Sequence, residues 1–303
     1  MYHSKISGLG YYVPENVVTN DDLSKIMDTN DEWIQERTGI KERRHIIRGE
    51  DTTTSMGVKA AEIAIQRANV AKEDIDFVIF ATLSPDYYFP GPGVLVQRDL
   101  GLRTVGALDV RNQCSGFVYA ISIADQYIKT GMYKNILVIG SEVHSTGLDM
   151  TDRGRGVSVI FGDGAGAAVL SREEDLSKGI LSTHLHSEGQ HAEELSLVAP
   201  GMGKRWVTDI IADNDPNDES YYPYMNGQFV FKNAVVRFSE VINEGLQANN
   251  LQVSDINMLV PHQANLRISQ FIQQKFRLTD DQVFNNIQKY GNTTAASIPI
   301  ALT

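Results

Sequence analysis

The chain has 303 residues, 42% of them hydrophobic, with 27 Lys and Arg against 38 Asp and Glu for a net charge of −11. That length holds one large domain or two intimately packed ones, and the acidic balance disfavours nonspecific nucleic-acid binding. No uncharged apolar run approaches the ~20 residues of a membrane helix, and the opening MYHSKISGLGYYVPE lacks the features of a signal peptide, so a cytoplasmic protein with no membrane partner is predicted.

The first notable stretch, KERRHIIR (41–48), is the densest basic cluster and reads as a solvated face. TSMGVKAAEIAIQRAN then carries helical periodicity. DFVIFAT (76–82), VGALDV (105–110), NILVIGS (135–141), VSVIFG (157–162) and INMLVP (256–261) read as buried strands, and NLRISQFIQQKF as a late amphipathic helix. Strands alternating with helices predict an α/β protein whose parallel sheets are covered on both faces. FGDGAGAAVL (161–170) has neither GxGxxG spacing nor a Walker lysine and reads as a tight turn between strands. HLH (184–186) places two imidazoles on one strand face, but no third ligand accompanies them and no metal site is predicted.

An internal repeat organises these elements. At an offset of 181 residues, ANVAKEDIDFVIFAT (68–82) faces NNLQVSDINMLVPHQ (249–263), and VRNQCSGFVYAI (110–121) falls on GNTTAASIPIAL (291–302). The chain therefore reads as a duplicated α/β unit with halves 1–172 and 173–303. In the first half the helix after Cys114 runs to about Met132 and two strands follow. Their counterparts would fall beyond residue 303, so the sequence reads as stopping inside a helix.

Cys114 is the only cysteine, which excludes an internal disulfide and a cysteine-built metal centre. It is either a small buried hydrophobe or a reactive thiol. It lies in the turn NQCSG at a helix start, where the positive dipole end lowers a thiol pKa from about 8.5. In the duplicated half, INMLVP ends directly on His262 and the following turn carries Asn292. A thiol, an imidazole and a carboxamide thus occupy strand-to-helix loops, which gather at the carboxyl ends of strands in α/β sheets.

Five motifs in order, DTNDEWIQERTGIKERR, DVRNQCSGF, TDRGRGVSVIFGDGAGAAVL, VPHQANLRIS and YGNTTAASIPIAL, resemble the β-ketoacyl-[acyl-carrier-protein] synthase III family, the initiating condensing enzymes of bacterial fatty-acid synthesis. The resemblance implies a thiolase-like fold of two α/β halves in five alternating layers, a homodimer, and a catalytic triad of Cys114, His262 and Asn292. Cys114 would take an acyl group from acyl-coenzyme A, malonyl-acyl-carrier protein would lose carbon dioxide, and His262 and Asn292 would stabilise the resulting enolate. No cofactor beyond these substrates is implied. Trp33 and Arg153 match the residues that sandwich the adenine of coenzyme A, Arg37 lies near its phosphates, and Asn265 belongs to the same binding set. Arg267 matches a carrier-protein contact, on a helix whose Ile268, Phe271, Ile272 and Phe276 share one face opposite Arg267, Gln270, Gln274 and Arg277. Phe89 matches the residue that reaches across the dimer to wall the acyl pocket.

Two departures stand out. The segment 202–224 is longer and more aromatic than in the family's best-known form, which would reshape acyl access. The Gly-rich strand-loop that closes the family's oxyanion hole is not in the sequence. Competing readings are a related enzyme using the same triad on another acceptor, by head-to-head acyl-CoA condensation or as a polyketide-type starter synthase, and a noncatalytic partner subunit. The intact triad argues against the last, and no protease motif surrounds Cys114 to support a cysteine hydrolase.

Overall fold

A computed structural model describes residues 2–201, 215 and 217–303, so most of the aromatic segment at 202–224 lies outside the described residues. Its frame is a five-stranded sheet built from β1 (His3–Tyr12), β2 (Phe77–Ala81), β3 (Gly106–Val110), β4 (Asn135–Glu142) and β5 (Gly164–Glu173), in spatial order β1-β5-β4-β2-β3. β2 pairs in parallel with both β3 and β4, whereas β5 runs antiparallel to both β4 and β1, so the sheet is mixed rather than wholly parallel.

All of β4 is buried, as its unbroken apolar run requires of a central strand covered on both faces. One cover is the helix Thr53–Ala68, whose start is a reciprocal cap between Thr52 and Ser55 and whose end is Asn69 in the left-handed region. The other is the helix Gly116–Lys129, which contributes Phe117, Ala120, Ile121, Ala124 and Ile128 to a core shared with Ile79, Ile136 and Val138. Beside it on the same sheet face lies Ser297–Leu302. The helices Gly227–Ala248 and Leu266–Phe276 pack together farther out, with Phe238 and Ile242 against Ile272 and Phe276. None of the described helices is long and apolar enough to cross a membrane.

The repeat is written into the backbone. Asn69 and Asn250 both adopt positive φ, at 54° and 55°, and each is followed by a 3-10 turn, Lys72–Asp74 and Val253–Asp255. Gln113 and Thr294, again 181 residues apart, have φ of 44° and 51° and open the 3-10 turns Gln113–Ser115 and Thr294–Ala296. Each of those turns feeds one of the two helices lying side by side on the sheet.

Several expected elements differ. FGDGAGAAVL is not a turn: from Gly164 onward it is β5 itself, and a Cβ at Gly166 would come within 2.7 Å of Pro299 in the helix above. VSVIFG holds the end of the helix Arg155–Ser158 and then a single parallel bridge from Phe161 to Asn292, because packing against the second half outweighs its β-branched composition. INMLVP forms only a bridge between Leu259 and Val283, and Met258 is half exposed, since no strand among the described residues pairs with its other side. HLH lies outside any strand, and its two imidazoles both bond Glu244, at 3.0 and 2.6 Å. The basic cluster is not a solvated face: Glu42–Arg44 is a short strand, and alternation sends Arg43 fully inside, where it donates to Asn20 and to the Val159 carbonyl. The helix after Cys114 ends at Lys129.

The fit of Ser297–Leu302 over β5 is testable by filling it. Gly166→Val should destabilise the protein by about 1–3 kcal/mol in denaturant unfolding, the usual cost of overpacking. Gly189→Ala, where an added Cβ meets nothing within 4 Å among the described residues, should stay near wild type. Equal behaviour of the two variants would contradict the close helix-to-strand contact.

Candidate active site

Three loops at the ends of the framework carry the candidate reactive side chains. Cys114 sits in the 3-10 turn between β3 and the helix Gly116–Lys129. Asn292 follows Gly291, is almost fully buried, and is stitched to the first half: its N–H donates to the Ile160 carbonyl at 2.8 Å and its carbonyl accepts from the Gly162 N–H at 3.1 Å. The Thr294 N–H donates to Asn292 Oδ1 at 2.8 Å, which leaves the carboxamide N–H₂ without a protein partner among the described residues. Thr294 is itself held through its Oγ1, 2.7 Å from His144 Nε2. His262 closes the Leu259–Pro261 run. Its Nδ1 is 2.6 Å from Ser297 Oγ, while its Nε2 is buried with no hydrogen-bond partner among the described residues.

Burial sets the charges. It pushes the His262 imidazole down to about 4, so the ring is neutral at physiological pH. It pushes the Cys114 thiol up to about 12, with the nearby Glu142 carboxylate adding to the rise. The helix-start expectation of a lowered thiol pKa is therefore reversed in sign, because desolvation of the thiolate and a buried anion outweigh the dipole of the helix. Glu142 is fully buried and is itself pushed up to about 7 by burial, against the hydrogen bonds it accepts from Ser84 Oγ at 2.6 Å, the Leu83 N–H and Thr82 Oγ1.

Cys114, His262 and Asn292 line one cavity of about 1090 Å³ together with Trp33, Arg37, Arg153, Asn265 and Arg267. Phe89 is not among its lining residues and stands 82% exposed on the loop after β2. The Arg37 guanidinium lies 4.7 Å over the Trp33 ring, and Arg153 lies 5.0 Å over Tyr222 while its Nε donates to Asp149 at 2.5 Å. Asn265 caps the helix Leu266–Phe276 through its Oδ1 and donates from Nδ2 to the Arg37 carbonyl, so it ties the two halves together at the cavity wall. Arg267 is exposed beside Phe231. On the same helix Ile268, Ile272 and Phe276 are buried as their spacing requires, but Phe271 is 42% exposed and does not share that buried face.

The match to known proteins follows this geometry. Residues 108–189 fit the family model described as 3-oxoacyl-[acyl-carrier-protein] synthase III, and residues 246–303 fit its C-terminal model. The chain is 43% identical over 303 residues to the β-ketoacyl-[acyl-carrier-protein] synthase III of Sulfurimonas denitrificans, covering 100% of this chain and 89% of that protein. The chain belongs to the β-ketoacyl-[acyl-carrier-protein] synthase III family. The crystal structure of the Aquifex aeolicus 3-oxoacyl-[acyl-carrier-protein] synthase III matches with a TM-score of 0.88 at 44% identity, covering 99% of this chain and 89% of that one. A priming β-ketosynthase from the R1128 polyketide pathway matches with a TM-score of 0.87 but 30% identity, over 99% of this chain and 86% of that one. The fold is accordingly thiolase-like, and as a synthase III the protein is an acyltransferase.

Sequence reasoning missed Glu142, Thr294 and Ser297. Glu142 is hidden at the end of an apolar strand. Ser297 is the counterpart of Gly116 at the 181-residue offset, a correspondence that locates the residue without revealing its contact with His262.

The site's electrostatics predict a pH-dependent effect of Glu142. Above about pH 7 its carboxylate is ionised and opposes the Cys114 thiolate; below, it already carries its proton. Glu142→Gln should raise iodoacetamide alkylation of Cys114 at pH 9 by up to about tenfold, one pKa unit being tenfold in thiolate. At pH 6 the two proteins should alkylate alike. Equal rates at pH 9 would show that the carboxylate does not act on the thiol.

Proposed function

We propose that Cys114, His262 and Asn292 divide the synthase III reaction between them, the condensation of an acyl-CoA starter with malonyl-acyl-carrier protein in fatty-acid initiation. The observation that carries this reading is one cavity holding a thiol, a neutral imidazole with an unpartnered Nε2, and a carboxamide whose oxygen is already engaged.

In the first half-reaction the Cys114 sulfur attacks the acyl thioester carbon. The bond to the coenzyme A sulfur breaks, and coenzyme A leaves carrying the proton that the thiol gave up. In the second, the malonyl carboxylate departs as carbon dioxide and its bonding pair becomes an enolate with charge on the thioester oxygen. N–H donors from His262 and Asn292 stabilise that charge in a site sheltered from water. The enolate carbon attacks the acyl-Cys carbonyl, the β-ketoacyl-carrier protein leaves, and the Cys114 sulfur takes up one proton. Decarboxylation supplies the carbanion, so this reading requires no strong base and no cofactor.

Trp33, Arg37, Arg153 and Asn265 are the side of the cavity proposed to receive coenzyme A, and exposed Arg267 is proposed to meet the acidic carrier protein at its mouth. A second copy of the chain is proposed along β3. That strand is one of the two edges of the sheet, and the adjacent loop exposes Tyr87, Tyr88 and Phe89 at 52, 67 and 82%. Pairing there would let Phe89 wall the partner's acyl pocket. The free thiol chemistry suits a reducing cytoplasm. A polyketide-type starter role fits less well, because identity to that relative is lower. Head-to-head condensation has no observation in its favour, and a noncatalytic partner has no use for the intact triad.

His262→Ala and Asn292→Ala should each still take an acyl group from acyl-CoA onto Cys114, measured by intact mass. Each should slow carbon dioxide release from malonyl-carrier protein by about 10²–10³, the usual cost of one oxyanion donor. Wild-type release by either variant would contradict the assigned roles.

A further inference from the structure

We propose that the Ser297 hydroxyl is a positioning group that holds His262 in the tautomer carrying its ring proton on Nε2. The argument is a count of hydrogens. A neutral imidazole has one N–H and one lone pair, and a hydroxyl has one hydrogen to give and lone pairs to receive with. Ser297 Oγ lies 2.6 Å from His262 Nδ1, and the Gln263 N–H points at the same oxygen from 3.4 Å. That N–H can only donate, so it occupies a lone pair of the hydroxyl and leaves the hydroxyl hydrogen unspent. The hydroxyl makes no other hydrogen bond among the described residues. Accepting an Nδ1–H on its second lone pair would leave that hydrogen unpaired on a side chain that is 2% exposed, which is unfavourable, so the hydrogen goes to Nδ1, Nδ1 presents its lone pair, and the ring proton resides on Nε2.

Ser297 is built to do this rigidly. It is 2% exposed and is the first residue of the helix Ser297–Leu302, which seats on β5 where Gly166 admits Pro299. Its hydroxyl is thus anchored to the sheet of the first half while its partner ring belongs to the second. At the 181-residue offset the same position in the first half is Gly116, next to the nucleophile's turn. One copy of the repeat leaves this position bare beside the thiol, and the other uses it to orient the imidazole.

The consequence is chemical. An enolate oxygen gains from an Nε2–H and is repelled by an Nε2 lone pair, so the wrong tautomer would disable His262 without moving it. The kinetic part of this inference rests on the donor role proposed for His262; the tautomer itself does not.

Both parts are separable by experiment. In protein labelled with ¹⁵N-histidine, long-range ¹H–¹⁵N correlation spectra report the tautomer of each ring, and His262→Gln identifies the His262 signals among the seven histidines. Wild type should show Nε2–H for His262 at pH 7, Ser297→Thr should keep it, and Ser297→Ala should lose it or show a mixture. In single turnover, Ser297→Ala should slow carbon dioxide release about tenfold, the scale of one hydrogen bond, with Ser297→Thr restoring most of it. Acylation of Cys114 by acyl-CoA should proceed in all three proteins, which also reports that each is folded. Nδ1–H in wild type, or an unchanged tautomer in Ser297→Ala, would overturn the proposal. A changed tautomer with unchanged carbon dioxide release would uphold Ser297's hold on the ring and instead refute the donor role of His262.

Discussion

Where β4 passes beneath the second half, a side chain at Gly140 would place its Cβ 2.3 Å from the Ala295 carbonyl. The bare backbone there lets the turn Thr294–Ala296 settle directly on the sheet, beside the equivalent turn that carries Cys114. Two more contacts depend on that seating: Thr294 orients Asn292, and Ser297, one residue beyond the turn, reaches His262. The Glu142 carboxylate, two residues along β4, also accepts the Ala295 N–H and binds the loop after β2 through Ser84. The proposed catalytic constellation, drawn from both ends of the chain, thus rests on the contact of one turn with one strand.

The same burial that makes this contact possible removes charge from the site. His262 is driven down to about 4, Cys114 up to about 12 and Glu142 up to about 7, each towards its neutral form. A neutral, preorganised set of side chains at the cavity floor suits chemistry in which the charge to be stabilised arrives with the substrate. On the proposed reading, fixed N–H dipoles would stabilise the enolate oxygen without the reorganisation that water would require. The buried, unpartnered Nε2 of His262 is the free-energy cost of that arrangement in the unliganded protein.

Much of this was legible in the sequence because local pattern and tertiary role coincide. The helix Thr53–Ala68 follows from periodicity and strands β2 and β4 from their apolar runs; β3 is a strand as expected but not a buried one, because it lies at an edge of the sheet, and the 181-residue repeat placed Cys114, His262 and Asn292 on related loops. What could not be read depends on neighbours distant in sequence. Val157–Gly162 has strand composition but begins inside a helix, and only Ile160–Gly162 pairs with another segment, at Asn292. The run Gly164–Leu170 looked like a turn because its glycines answer to a helix more than 120 residues later. The sign of the thiol shift required knowing that Glu142 and apolar walls surround a position where the local helix argument pointed the other way. Arg43 entered the core through partners at Asn20 and Val159 that its basic neighbours gave no hint of.

The central claim is that both halves of the chain converge on one covalent condensing site. The most direct measurement is a single-turnover balance. Protein is first acylated with acyl-CoA, freed of excess substrate, and mixed with malonyl-carrier protein, while the mass of the chain and the carbon dioxide released are followed together. The account predicts one acyl group per chain, borne on Cys114, whose loss matches carbon dioxide and β-ketoacyl-carrier protein one for one. Carbon dioxide release with the acyl group still on Cys114, or condensation product from Cys114→Ala protein, would contradict it.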